Sequence, residues 1–165
     1  MAKRFDRVKA GLRYIVVHHT ASEQPLLKAW NPFGYEAPEY DFGIDLDGVF
    51  HVGRSLKFQG AHCLPDQDKD GGKYFLEPTW WNETDGRTDS GYMNQRSIGF
   101  VIAGSFDKRK ATDSQINEAC YNIRRLAKKY RIPLDRDHII PHFRVSATFC
   151  PGQDAIERIY KKLKI

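Results

Sequence analysis

The sequence predicts one α/β domain, a central mixed β-sheet flanked by helices, and three observations lead there. Residues 13–19 (Arg-Tyr-Ile-Val-Val-His-His) and 97–103 (Ser-Ile-Gly-Phe-Val-Ile-Ala) are short β-branched and apolar runs, the pattern of strands buried on both faces. An amphipathic helical pattern follows the second run, and helix crossovers between strands make them parallel. Asp47-Gly48, between two strand-like runs, is the strongest local hairpin signal and adds an antiparallel pair. At 165 residues the chain is close to the ~150 of an ordinary domain, so one core over residues 1–165 is expected.

Taken in order, 13–19 is a central strand that ends in two histidines. Ser22 can cap a short helix with Pro25 in its first turn. Residues 40–46 and 49–54 are the arms of the hairpin. Residues 63–95, rich in Asp, Gly, Asn and Pro, read as a long surface insertion. After the strand at 97–103, Thr112-Asp-Ser-Gln115 is a capping box. It opens a helix with Ile116, Cys120, Ile123, Ala127 and Tyr130 inward and Arg124, Arg125, Lys128 and Lys129 outward. That helix stops at Arg131-Ile-Pro133, a short strand follows at 137–140, and a basic helix at 154–163 faces inward with Ile156, Ile159, Tyr160 and Leu163.

Composition removes whole classes. With 41% hydrophobic, 13% aromatic and 28% charged residues, the chain is neither disordered nor a coiled coil nor collagen-like. No run nears the ~18 apolar residues of a membrane span. No apolar segment follows the charged start, so a cytoplasmic origin is expected. The net charge of +5 favours polyanionic partners without choosing among them, and no arginine-rich arm points to nucleic acid. Three cysteines, Cys63, Cys120 and Cys150, are too few for a disulfide framework. Cys120 falls in the helical pattern and reads as an apolar filler.

The chemistry sits where strands end. His18 and His19 close the first strand, His142 follows the last one, and Cys150 comes eight residues later beside Pro151-Gly152. Two imidazoles and a thiolate form a borderline-soft set suited to zinc, and three protein ligands leave a fourth position for water. An unliganded His-Cys loop fits the same spacing.

Four ordered blocks carry a resemblance. They are Ile15-Val-Val-His-His-Thr-Ala-Ser22; Tyr40-Asp-Phe-Gly-Ile-Asp-Leu-Asp-Gly48 with Val52-Gly-Arg54 and Gly60-Ala-His62; Asn94-Gln-Arg-Ser-Ile-Gly-Phe-Val-Ile-Ala-Gly104; and His142-Phe-Arg-Val-Ser-Ala-Thr-Phe-Cys-Pro-Gly152. Together they resemble the zinc-dependent type 2 N-acetylmuramoyl-L-alanine amidases, which include phage lysozyme-like amidases and share a fold with peptidoglycan-recognition proteins. The resemblance implies His18, His142 and Cys150 as zinc ligands and Tyr40 as a catalytic residue that positions water or stabilises an oxyanion. It places Thr148, the second catalytic candidate, two residues before the last ligand, where phage relatives often carry a lysine; threonine there offers a neutral donor. His62 and Asn94 are the substrate-binding candidates, with a structural role for His62 equally open. Asp41 replaces the histidine that commonly follows the tyrosine. His19 is expected behind the ligands or on the surface, and His51 and His138 are expected to be structural.

The implied reaction is hydrolysis of the amide between N-acetylmuramic acid and L-alanine in bacterial peptidoglycan. The expected setting is a monomeric phage or prophage endolysin, made in the host cytoplasm and acting on the wall after lysis, with no nucleic-acid partner and no membrane insertion. Two rivals stand beside it: a cytosolic amidase that recycles soluble muropeptides, and a non-catalytic peptidoglycan-binding module. The insertion holds a second signal, since Asp66, Asp68, Asp70 and Glu77 match the calcium-loop pattern Asp-x-Asp-x-Asp-Gly-x5-Glu. Pro65 and Pro78 flank it closely and Lys73 stands where an apolar residue would help, which favours an ion-free turn over Ca2+. Trp80 and Trp81 could stack on sugars or anchor the insertion.

Overall fold

The computed structural model describes residues 11–26, 39–57, 60, 62–63, 90–146 and 148–165. Strands β1 (Tyr14–His19), β2 (Phe42–Ile44), β3 (Phe50–Val52), β4 (Ser97–Ile102) and β5 (Ile139–Pro141) form one sheet in the order β3-β2-β4-β1-β5. β1 lies parallel to both β4 and β5, and β2 is parallel to β4, while β2 and β3 form the antiparallel hairpin over Asp47-Gly48. This is the expected mixed α/β architecture, with strands one to four residues shorter than their apolar runs.

Helix α1 (Ser90–Arg96) runs straight into β4; α2 (Asp113–Tyr130) and α3 (Gln153–Leu163) follow. The Thr112 capping box is formed: Thr112 Oγ1 accepts from the Gln115 amide, and Gln115 Oε1 accepts from the Thr112 amide. At the other end of α2, Arg131 takes the left-handed conformation and sends its N–H back to Ala127 and Lys128.

Alternation along the strands divides two faces. Ile15, Val17, Ile98, Phe100 and Ile102 meet Ile116, Ile123, Ile156 and Ile159 of α2 and α3 in the main core. The opposite face of β1 carries Tyr14 and Val16, packed with Cys63, Met93 and Ile140, and ends in His18. All six β1 residues are buried, so an imidazole at this position is held in the protein interior on the face that α2 and α3 do not cover.

Candidate active site

His18 is fully buried. Its Nδ1 lies 3.8 Å from Cys150 Sγ, and its ring centre is 4.3 Å from that of His142 and 5.0 Å from that of Tyr40. β5 hands the chain to a single 3-10 turn, His142–Arg144. The loop then closes on itself, because the Phe143 N–H donates to the Cys150 carbonyl at 2.9 Å and the Ser146 N–H to the His142 carbonyl at 3.0 Å. That closure brings His142 and Cys150 to one spot despite their separation in sequence. Potential ligand atoms of His18, His142 and Cys150 all fall within 4.8 Å of one another.

Cys150 is held from two sides. The His19 amide donates to its sulfur at 3.2 Å, and its own N–H donates to Thr148 Oγ1 at 3.2 Å. Thr148 therefore anchors the cysteine backbone and keeps its own hydroxyl proton for another partner. His19 contributes its backbone to the site, while its ring accepts from the Phe106 amide at 3.0 Å.

Burial governs the electrostatics. It holds His18 well below the usual imidazole range, and the neighbouring His142, His62 and His19 rings push the same way. His142 is lowered to about 4 by burial and then by His19. Burial pushes the Cys150 thiol up to about 12, against the pull of the His19 N–H. The Tyr40 phenol is pushed far up, first by burial and then by Cys150, Glu39 and Cys63. The chain thus supplies two neutral imidazoles, a thiol and a firmly protonated phenol.

These donors fit a divalent cation of the borderline-soft kind. His142 Nε2 is buried and has no hydrogen-bond partner among the described residues, a situation that costs roughly 1–3 kcal/mol unless something meets the atom. Among the described residues nothing stabilises a Cys150 thiolate by charge, and a bound cation would do so directly. The His/His/Cys set matches the ligands that such an ion prefers.

His62 and Asn94, the substrate-binding candidates, are both buried. His62 is only 3% exposed, its Nδ1 3.0 Å from His18 Nε2 and its Nε2 3.3 Å from Ser97 Oγ. Asn94 is buried and splints a neighbouring backbone, accepting from the Cys63 N–H at 2.9 Å and donating to the Cys63 carbonyl at 2.7 Å. Cys63 belongs to a second trio, His18–His62–Cys63, whose ligand atoms also converge. Asp41 is wholly buried and clamps β4: its N–H donates to the Gly99 carbonyl at 3.0 Å and its Oδ2 accepts from the Gly99 N–H at 2.8 Å. His51 and His138 pair with Asp45 and Asp135, away from the cluster. Asp66, Asp68, Asp70, Glu77, Trp80 and Trp81 lie outside the described residues.

Sequence reasoning missed Cys63 and Ser97 as neighbours of the site, and Glu39 before the tyrosine. Burial raises the Glu39 carboxyl to about 7 against the opposing charge of Arg54, and its Oε1 finds no partner among the described residues. Ser97 lies inside one of the four blocks, while Glu39 and Cys63 border theirs by one residue, and no pattern singles any of them out.

A mixed sheet with two imidazoles and a thiol converging beyond its strand ends belongs to the fold class shared by peptidoglycan amidases and peptidoglycan-recognition proteins. Within that class, the chain belongs to the N-acetylmuramoyl-L-alanine amidase family, whose sequence profile matches residues 8–153. Similar solved structures include the N-acetylmuramoyl-L-alanine amidase LysC from Clostridium intestinale URNW, 23% identical, covering 94% of this chain and 87% of that one at a TM-score of 0.66. The endolysin amidase LysCS from the same organism is 24% identical over 94% of this chain and 85% of its own, also at 0.66. Drosophila peptidoglycan-recognition protein SD is 18% identical over 98% and 86%, again at 0.66. At these identities the likeness speaks for the fold. A search of curated protein sequences returns no significant match.

Proposed function

We propose that this protein is a zinc-dependent amidase that cleaves the bond between N-acetylmuramic acid and L-alanine in bacterial peptidoglycan. The observation that carries the reading is the convergence of His18, His142 and Cys150, with His142 Nε2 buried and unbonded, beside a protonated Tyr40. A zinc ion held by those three residues would supply a Lewis acid for the scissile carbonyl and acidify the attacking water. The chain's own residues do the rest. Tyr40 keeps its proton and can donate a hydrogen bond to the oxygen on which negative charge develops. Thr148 fixes the Cys150 backbone through its Oγ1 and keeps its hydroxyl proton free to donate. The His19 amide holds the sulfur.

Under this reading the chain is one catalytic domain with an insertion at about 63–95, working as a monomeric phage or prophage endolysin. It would be made in the host cytoplasm and reach the wall at lysis. The endolysin likeness supports that setting, and the +5 net charge would assist adsorption to an anionic wall. The recognition-protein likeness supports a second reading, muropeptide binding without cleavage.

Purified sacculi separate these readings. The amidase releases new L-alanine amino termini and no new reducing sugar ends. Release only from soluble muropeptides would replace the endolysin with a recycling enzyme. Binding with no release from either would leave a recognition module.

A further inference from the structure

We propose that His62 and Ser97 are positioning residues that hold His18 as the tautomer protonated on Nε2, with a bare Nδ1 turned to Cys150 and the metal. The inference deepens the proposed zinc centre and rests on it.

The direction of the hydrogen-bond chain follows from its far end. The Met93 carbonyl can only accept, so the Ser97 hydroxyl donates to it. With that proton committed, Ser97 Oγ can only accept from His62 Nε2, 3.3 Å away. A neutral imidazole carries one N–H, so His62 Nδ1 is bare. It faces His18 Nε2 at 3.0 Å, and two lone pairs would repel at that distance, so the proton between them sits on His18 Nε2. With its Nε2 proton given to His62, His18 has its free lone pair on Nδ1, the atom 3.8 Å from Cys150 Sγ.

Three further features keep His62 in place as an acceptor. Cys63 Sγ lies 3.3 Å from the same His62 Nδ1, and its S–H is a second, weaker donor to that lone pair. Asn94 fixes the Cys63 backbone with two hydrogen bonds. Gly99 leaves the space: a Cβ there would stand 2.5 Å from His62 Cδ2. Metal-binding histidines commonly send their remote N–H to a carboxylate, carbonyl or water, which fixes the ring and its tautomer. Here a second imidazole takes that part, and a backbone carbonyl two bonds further on sets its polarity.

The experiment begins with the metal-free wild-type protein, uniformly nitrogen-labelled, near neutral pH. Long-range proton–nitrogen correlations from the ring protons should show His18 and His62 both protonated on Nε2. A proton on His18 Nδ1 would overturn the proposal. Zinc affinity by chelator competition then tests the consequence. His62→Phe should weaken binding by ~10–100-fold. His62→Gln, which can accept at one end of its amide and donate at the other, should recover most of that loss. Equal losses in the two variants would reduce His62 to packing, and an unchanged affinity in His62→Phe would remove it from the site; either sinks the relay. One zinc per chain is expected, and a second equivalent lost in Cys63→Ala would put a metal on His62 Nδ1 and refute the tautomer. Failure of zinc to bind wild type at all would instead break the proposed function, while the metal-free spectrum still decides the relay.

Discussion

Tyr40 is useful for the proton it keeps. Burial and the neighbouring Cys150, Glu39 and Cys63 all disfavour its phenolate, so it serves as a donor and not as a base. Tyr40→Phe should retain zinc yet lose ~10²–10³-fold in kcat, the usual cost of deleting one oxyanion donor. His142→Ala and Cys150→Ser should instead release the metal, since each removes a ligand; zinc retained through dialysis by either variant would displace that residue from the centre. Phe149 tests a different property. It is 87% exposed directly before Cys150, so its ring adds little to the core formed by the described residues. Phe149→Ala should leave zinc content and thermal stability unchanged and raise KM on sacculi. Unaltered KM would assign the ring no part in wall binding.

At the scale of the element, β4 joins the core to the site. Its Ile98, Phe100 and Ile102 face α2 and α3, whereas Gly99 on the other side receives the His62 ring. Gly99→Ala should push His62 aside and weaken zinc binding, with a stability loss of roughly 1–3 kcal/mol from overpacking. Thr112→Ala at the start of α2 is the control: losing the capping box costs ~1 kcal/mol, yet it should leave zinc affinity at the wild-type value. The same elements show what the sequence could reveal. β1, β4, the hairpin and α2 were legible because continuous β-branched apolar runs, Asp47-Gly48 and Thr112-x-x-Gln115 are local signals. Helix α1 was not, since Ser90–Arg96 is mostly polar, carries a glycine and shows no apolar period. His18, His142, Cys150 and Tyr40 were legible through their motifs. The bond from His18 to His62 and on to Ser97 was not, because it joins residues 44 and 35 positions apart whose side chains meet only across the folded sheet.

For the whole molecule, the three proposed ligands tie the first strand to the C-terminal third of the chain, so a zinc ion that binds only the folded form stabilises everything between them. At a free zinc concentration of one hundred times Kd the gain is ~2.7 kcal/mol, or roughly 5–11 °C in Tm for a domain of this size. Its pH dependence identifies the donor. In the metal-free fold His142 titrates at about 4, below its ordinary 6.5. Between those values the unfolded chain therefore binds more protons, and stability falls as the pH drops. Glu39, raised to about 7, acts oppositely: below its ordinary 4.5 its contribution is complete, and stability falls as the pH rises toward 7. Well above pH 4 His142 carries no proton in the fold with or without zinc, so its effect cancels in the difference between the two. The Cys150 thiol does not cancel. Raised to about 12, it is protonated throughout the working range, and zinc must displace that proton to bind. Affinity should therefore fall tenfold, or ~1.4 kcal/mol, for each pH unit downward until His142 begins to protonate near 4. At fixed free zinc above Kd, the zinc-induced rise in Tm should shrink by roughly 3–5 °C per pH unit. Cys150→Ser should abolish the rise. A zinc-induced rise independent of pH between 5 and 8 would mean that no thiol proton is displaced, and would take Cys150 out of the ligand set.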